Sequence, residues 1–167
     1  GLTSAINYTN GTAGVRTITG GGMWSGAGEV IGTFSTSALC LNFTPSATGG
    51  STTVTCDPDG TEADIDLTLS EYAGHDATPL DKTDVENTGI SDTPFVASGV
   101  LVQADELIVA IVGHGVGDSV ITPDGTYTQI GENESNVGGQ AYNAQDKIVA
   151  TSASDIADWT LSVVDDW

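Results

Sequence analysis

The sequence predicts an all-β fold, an antiparallel two-sheet β-sandwich or jelly roll of about eleven strands. Three observations lead there. Helical periodicity is almost absent from the 167 residues. Ser, Thr, Gly and Val, which suit strands and turns, dominate the chain. Short alternating runs recur, separated by Gly, Asp and Pro turn formers. Hydrophobic residues make up 38% of the chain, enough for a sizeable core. The longest wholly apolar run, LIVAIV at 107–112, is far shorter than the ~20 residues that cross a bilayer.

The first half opens with SAINYT (4–9), GVRTIT (14–19) and EVIGTF (29–34) as strands. The glycine-rich run ITGGGMWSGAGEVIG lies between the last two. It carries no lysine and no helix-forming segment follows, so a phosphate cradle is not expected. An exposed Trp24 in this loop is an expected interface anchor. The runs ALCLNF (38–43) and STTVTC (51–56) flank the turn-rich SATGG. Cys40 and Cys56 stand symmetrically about that turn, so a regular hairpin would set the two sulfurs opposite each other. A cross-strand disulfide is the sharper reading and two buried thiols the plainer one. The spacing suits neither a zinc knuckle nor a redox pair. If formed, the bond would contribute ~3 kcal/mol and imply a non-reducing compartment.

In CDPDGTEADID, the carboxylates Asp57, Asp59, Glu62 and Asp64 crowd one turn. Calcium is the ion such oxygens would hold, although the EF-hand pattern is not met. The alternative is that PDG is simply a turn between strands, as the similar TPDGTY at 122–127 indicates. No other cofactor is expected. In ADIDLTLSEY (63–72), Ile65, Leu67 and Leu69 alternate with Asp64, Asp66, Thr68 and Ser70. The first set is the expected core face and the second the wet one.

The polar segment 73–94 reads as a crossover, with Gly74 permitting a turn and Leu80 as an anchor. We therefore expect a single domain over 1–167, with two β-rich halves, about 1–72 and 95–167. Glu71, His75 and Asp76 cluster where the crossover begins. An acid–base reading of them lacks a nucleophile, so they read as a strand end.

The second half offers FVASGVLV (95–102), ELIVAIV (106–112), TYTQIG (126–131), QAYNAQDKIV (140–149) and DWTLSVV (158–164). ELIVAIV is apolar on both faces and is expected to be a central strand, with His114 in a solvated loop after it. Trp159, Leu161 and Val163 alternate as a core face, and Trp167 is a second interface candidate.

Several of these pieces, taken together, resemble a known β-sandwich module. They are LTLSEYAGHD, TPLDKT, ADELIVAIVGHG, PDGTYTQIG, AYNAQDKIVA and DWTLSVV. The pattern E-Y-[SA]-G, then P-L-D, then E-L-[IL]-V-A is similar to modules of phage virion proteins, in fibres and head decorations, and of bacterial secreted or surface proteins. The likeness spans about 37–164. It implies a structural or adhesive protein, not an enzyme, at a virion surface or outside the cell. The partners it implies are further copies of the chain, capsid or other virion proteins or, alternatively, host-surface glycans.

Charge narrows the partners further. Twenty-three acids face three bases, for a net charge of −20. Such a surface repels nucleic acid and anionic membranes, and repels its own copies at low ionic strength. Neither nucleic acid nor membrane is therefore an expected partner. The opening GLTSAINYTNG has no basic region followed by an apolar one, so no signal peptide is read there.

Overall fold

The computed structural model describes residues 2–10, 16–19, 25–26, 37–44, 53–58, 64–76, 78, 81–82, 87–114, 119–133 and 141–167. These residues are all-β, with no helix among them, and every strand pair is antiparallel. The chain divides into two compact units, Gly1–Thr83 and Asp84–Trp167.

Unit 1 contains β1 (Leu2–Asn10), β2 (Arg16–Thr19), β3 (Ser25–Gly26), β4 (Ser37–Thr44), β5 (Thr55–Pro58) and β6 (Asp64–Tyr72). One sheet has the order β3-β4-β1-β6, and β2 pairs with β5 in another. The hairpin expected around SATGG is not among these pairings. Cys40 is in register with Asn7 of β1, while Cys56 is in register with Ile18 of β2. Among the described residues, β4 pairs with β1 along its length and with β3 at Asn42 and Phe43, while β5 pairs with β2.

The faces of β6 also differ from expectation. Leu67 and Leu69 are exposed, at 37% and 48%, whereas Thr68, Ser70 and Tyr72 are half-buried. The register supplies the reason. Thr68, Ser70 and Tyr72 stand opposite Ile6, Ser4 and Leu2, and Ile6 in turn stands opposite Leu41. Leu67 and Leu69 stand opposite Asn7 and Ala5, and those opposite Cys40 and Asn42. Registered residues share a face, so the neighbouring strands place the more apolar face on the other side of β6. After Tyr72 the chain turns at Gly74, whose φ of +87° lies in the region that favours glycine.

Unit 2 contains β7 (Ile90–Ser91), β8 (Phe95–Ala97), β9 (Glu106–His114), β10 (Ile121–Pro123), β11 (Thr128–Asn133), β12 (Ala141–Val149), β13 (Ile156–Leu161) and β14 (Asp165–Asp166). Its sheets have the orders β10-β13-β8 and β11-β12-β9, and β14 pairs with β7. The central strand of the second sheet is β12, not the apolar β9. Ala141 to Gln145 are buried without interruption, including two polar side chains. By contrast, β9 is half-buried from Glu106 to Val109 and takes β12 as its one neighbour among the described strands.

On β13, Ala157, Trp159 and Leu161 are buried and alternate with exposed Ile156, Asp158 and Thr160. The expected continuation to Val163 fails. The strand ends at Leu161, Ser162 turns to bond Val120, and Val163 is 50% exposed. Similarly β8 stops at Ala97, just before Gly99 (φ +72°) breaks the run expected to reach 102. The TPDGTY turn forms as expected. Tyr127 N donates to the Asp124 carbonyl (3.1 Å) and Thr126 N to Asp124 Oδ1 (3.2 Å).

Candidate functional site

The polar groups with the most built surroundings lie inside unit 2. From β12, Asn143 Oδ1 accepts from Trp159 Nε1 of β13 at 3.0 Å. Gln145 Nε2 donates to the Asp158 carbonyl at 3.2 Å. Asn143, Gln145 and Trp159 are all buried. A buried amide costs free energy unless it is bonded, and these contacts join a strand of one sheet to a strand of the other.

At the end of β9, His114 is 1% exposed. This corrects the expectation of a solvated loop residue. His114 Nε2 donates to the Ser119 carbonyl at 3.2 Å, and Nδ1 stands 3.0 Å from Asp165 Oδ2. Asp165 is itself buried, and its Oδ1 accepts the backbone N–H of Asp166 at 2.8 Å. Burial, and then the neighbouring Asp166 carboxyl, push the Asp165 carboxyl above the usual carboxylate range, against the pull of His114.

The closing segment is held at a second point. Gly89 and Trp167 exchange backbone hydrogen bonds, each 3.0 Å, and Trp167 Nε1 donates to Ser91 Oγ at 3.0 Å. The Trp167 ring lies 6.2 Å from that of Phe95. Trp167 is therefore buried at 6% exposure and used within its own unit, whereas the sequence offered it for contacts between subunits. Trp24, the other interface candidate, lies outside the described residues.

A third cluster surrounds the one basic residue of unit 2. Lys147 Nζ bonds both Asp155 carboxylate oxygens (3.0 and 2.9 Å) and sits 5.0 Å above the Tyr127 ring. Tyr127 OH also donates to Asp155 Oδ1 at 3.0 Å. Burial alone would raise the Asp155 carboxyl, but the hydrogen bonds from Lys147 and Tyr127 outweigh it and lower it. Burial, followed by the Asp155 hydrogen bond and the charges of Asp155, Asp124 and Asp158, pushes the Tyr127 phenol well up, so it remains a donor.

Backbone positions 40 and 56 are strand residues of separate sheets, and nothing is described of their side chains. Of the acids proposed for calcium, Asp57 lies on β5 and Asp64 on β6, while Asp59 and Glu62 fall outside the described residues. Among the described residues, no three His, Cys, Asp or Glu side chains form a group able to hold a metal. Glu71 and Asp76 are exposed, and His75 Nδ1 donates to the adjacent Asp76 carbonyl at 2.7 Å.

Sequence reading missed the roles of Asn143, Gln145 and Asp165. Their signal was faint: polar residues inside a strand-like run, and an acid pair before a terminal Trp. Chemically, the arrangement ties structure together. His114, Lys147 and the buried amides each face a partner within unit 2. Compared with known protein families, characterised proteins and solved structures, the chain matches none.

Proposed function

We propose that the chain is a non-enzymatic structural protein of a virion surface, of the capsid-decoration or fibre type, acting through contacts between subunits. Unit 2 is on this reading a two-layer β-sandwich, its sheets β10-β13-β8 and β11-β12-β9 facing each other across the Trp159–Asn143 and Gln145–Asp158 contacts. One observation carries the reading. Among the described residues, His114, Asn143, Gln145 and Lys147 each bond a partner inside unit 2, while large apolar side chains of the same unit face outward. Ile90, Phe95, Val102, Ile148 and Ile156 are between 48% and 78% exposed. Exposed apolar area of this kind serves association better than it serves a solitary soluble domain. The motif likeness to virion modules adds the setting. An aromatic sugar platform built from Trp159 or Trp167 would have to unpack the core, since both are buried.

Assembly tests the reading. Net charge −20 opposes contact between copies until salt screens it. Sedimentation of the full chain over rising NaCl and protein concentration is expected to show self-association that strengthens with salt. A monodisperse monomer under every condition would overturn the proposal.

A further inference from the structure

The two three-stranded sheets of unit 2 each have a face turned away from the Trp159–Asn143 contact. On β13, Ile156, Asp158 and Thr160 alternate with the buried Ala157, Trp159 and Leu161 and point to the opposite side. The register adds their neighbours. Ala97 and Phe95 of β8 stand opposite Ile156 and Asp158, and Thr122 of β10 stands opposite Thr160. Registered residues share a face. Five of these six positions are exposed and Ala97 is half-buried. Phe95 and Ile156, the large apolar ones, are 48% and 53% exposed.

The other sheet is covered differently. On β12, Tyr142, Ala144, Asp146 and Ile148 share the side opposite to Asn143 and Gln145. Tyr142 and Ala144 are buried there, so much of that face is already occupied. The open face is that of β10-β13-β8.

That face is poor in charge. Asp158 is the one charged residue of its six positions, with Asp124 beside it at the turn after β10. Unit 2 as a whole carries fourteen acids and one base, Lys147. The contrast decides the kind of partner. A basic partner gains most over the acids and little over an acid-poor face. A partner that is itself strongly acidic can approach closely only where both surfaces carry few charges. A second copy of the chain meets that condition, because its own copy of the face is equally poor in acids. Phe95, Ala97 and Ile156 of one copy then cover the same residues of the other, and the hydroxyls of Thr122 and Thr160 can donate or accept toward the rim.

We propose that the outward face of β10-β13-β8 is a contact between two copies of the chain, packed face to face about a twofold axis with Phe95 and Ile156 near its centre. The inference rests on the reading of the chain as a self-associating structural protein and names the surface used. Phe95 also flanks the Trp167 ring inside its own unit, so Ile156 is the cleaner position to test.

Sedimentation of the full chain at raised NaCl, over a range of protein concentrations, reads the contact through single substitutions. Ile156→Glu sets an unpaired charge against its own copy and should weaken association by about tenfold or more. Ile148→Glu makes the same change at a still more exposed strand position (68%) of the other sheet and should leave association as it was. Asp158→Asn removes the charge from the face and should tighten association and flatten its dependence on salt. Undiminished association in Ile156→Glu, an equal loss in Ile148→Glu, or weaker association in Asp158→Asn would each overturn the proposed face while leaving self-association itself standing. A wild-type chain that stays monomeric under every condition would overturn both. Should Ile156→Glu fail to fold, Thr160→Glu, exposed on the same face, takes its place with the same expectation. Shielding of Ile156 from a soluble paramagnetic probe in the low-salt monomer would show that another part of the chain covers the face, and would also overturn the proposal.

Discussion

Gly89 has no side chain where Trp167 leaves no room for one. A Cβ built there would stand 2.9 Å from Cζ2 and 3.2 Å from Cε2 of the indole. Those atoms belong to a rigid ring, fixed beside them by the Nε1–Ser91 Oγ bond. The ring cannot yield to Gly89→Ala without losing that bond or its packing near Phe95. Overpacking of this kind costs about 1–3 kcal/mol. Gly89→Ala should therefore lower unfolding stability by that amount in denaturant titration and shift the Trp167 indole N–H resonance. An unchanged resonance with unchanged stability would show that the ring is not held as described. A sequence reader has no access to this glycine. It sits in a polar segment without a turn signature, and its constraint comes from a residue 78 positions later.

Elements were legible from the sequence where their pattern was local, and obscure where their neighbours decided. Antiparallel β structure, the turn at Asp124–Tyr127 and the bend at Gly74 follow from short-range chemistry, and all three are present. The faces of β6 do not, because Leu67 and Leu69 look like a core face until β1 and β4 are set beside them. Nor does the central place of β12, since Asn143 and Gln145 look like solvent-facing residues until Trp159 and the Asp158 carbonyl supply their partners. The candidate site was the least legible part, because the His114–Asp165 contact spans 51 positions and depends on three-dimensional closure.

The β12–β13 contact is testable as a coupled pair. Trp159→Phe removes the donor to Asn143 and leaves a buried amide oxygen unbonded, for a loss of about 2–4 kcal/mol including the smaller ring. Adding Asn143→Leu removes the stranded amide as well. The double variant should then cost less than the sum of the two single variants in chemical denaturation. Strict additivity would mean that the hydrogen bond does not couple the strands.

At the scale of the whole molecule, charge and closure are distributed unevenly. Unit 2 contains fourteen of the twenty-three acids but only Lys147 as a base, which gives it −13 of the total −20. It also closes on itself. Its first strand, β7, pairs with its last, β14, and Trp167 covers Gly89 at the same junction. Many of its buried side chains, among them Ile121, Tyr142, Trp159 and Leu161, come from strands that pair within the unit. A segment with its own core and its own closure has what a small domain needs to fold alone. Self-repulsion among the acids works in the other direction and weakens as salt shortens the Debye length to about 8 Å near 0.15 M. A fragment of residues 84–167 is therefore expected to melt cooperatively, with a Tm that climbs as NaCl is raised. Because the Lys147–Asp155 bond is an attraction, salt would weaken it and lower the Tm if that single pair outweighed the repulsion. Partly exposed ion pairs are worth only about 1 kcal/mol or less, so repulsion among the fourteen acids should dominate and the slope should be positive. Calorimetry of the fragment across salt concentrations checks both parts. A broad, non-cooperative melt would show that unit 2 depends on the rest of the chain, and a falling Tm would show that its stability rests on the ion pair.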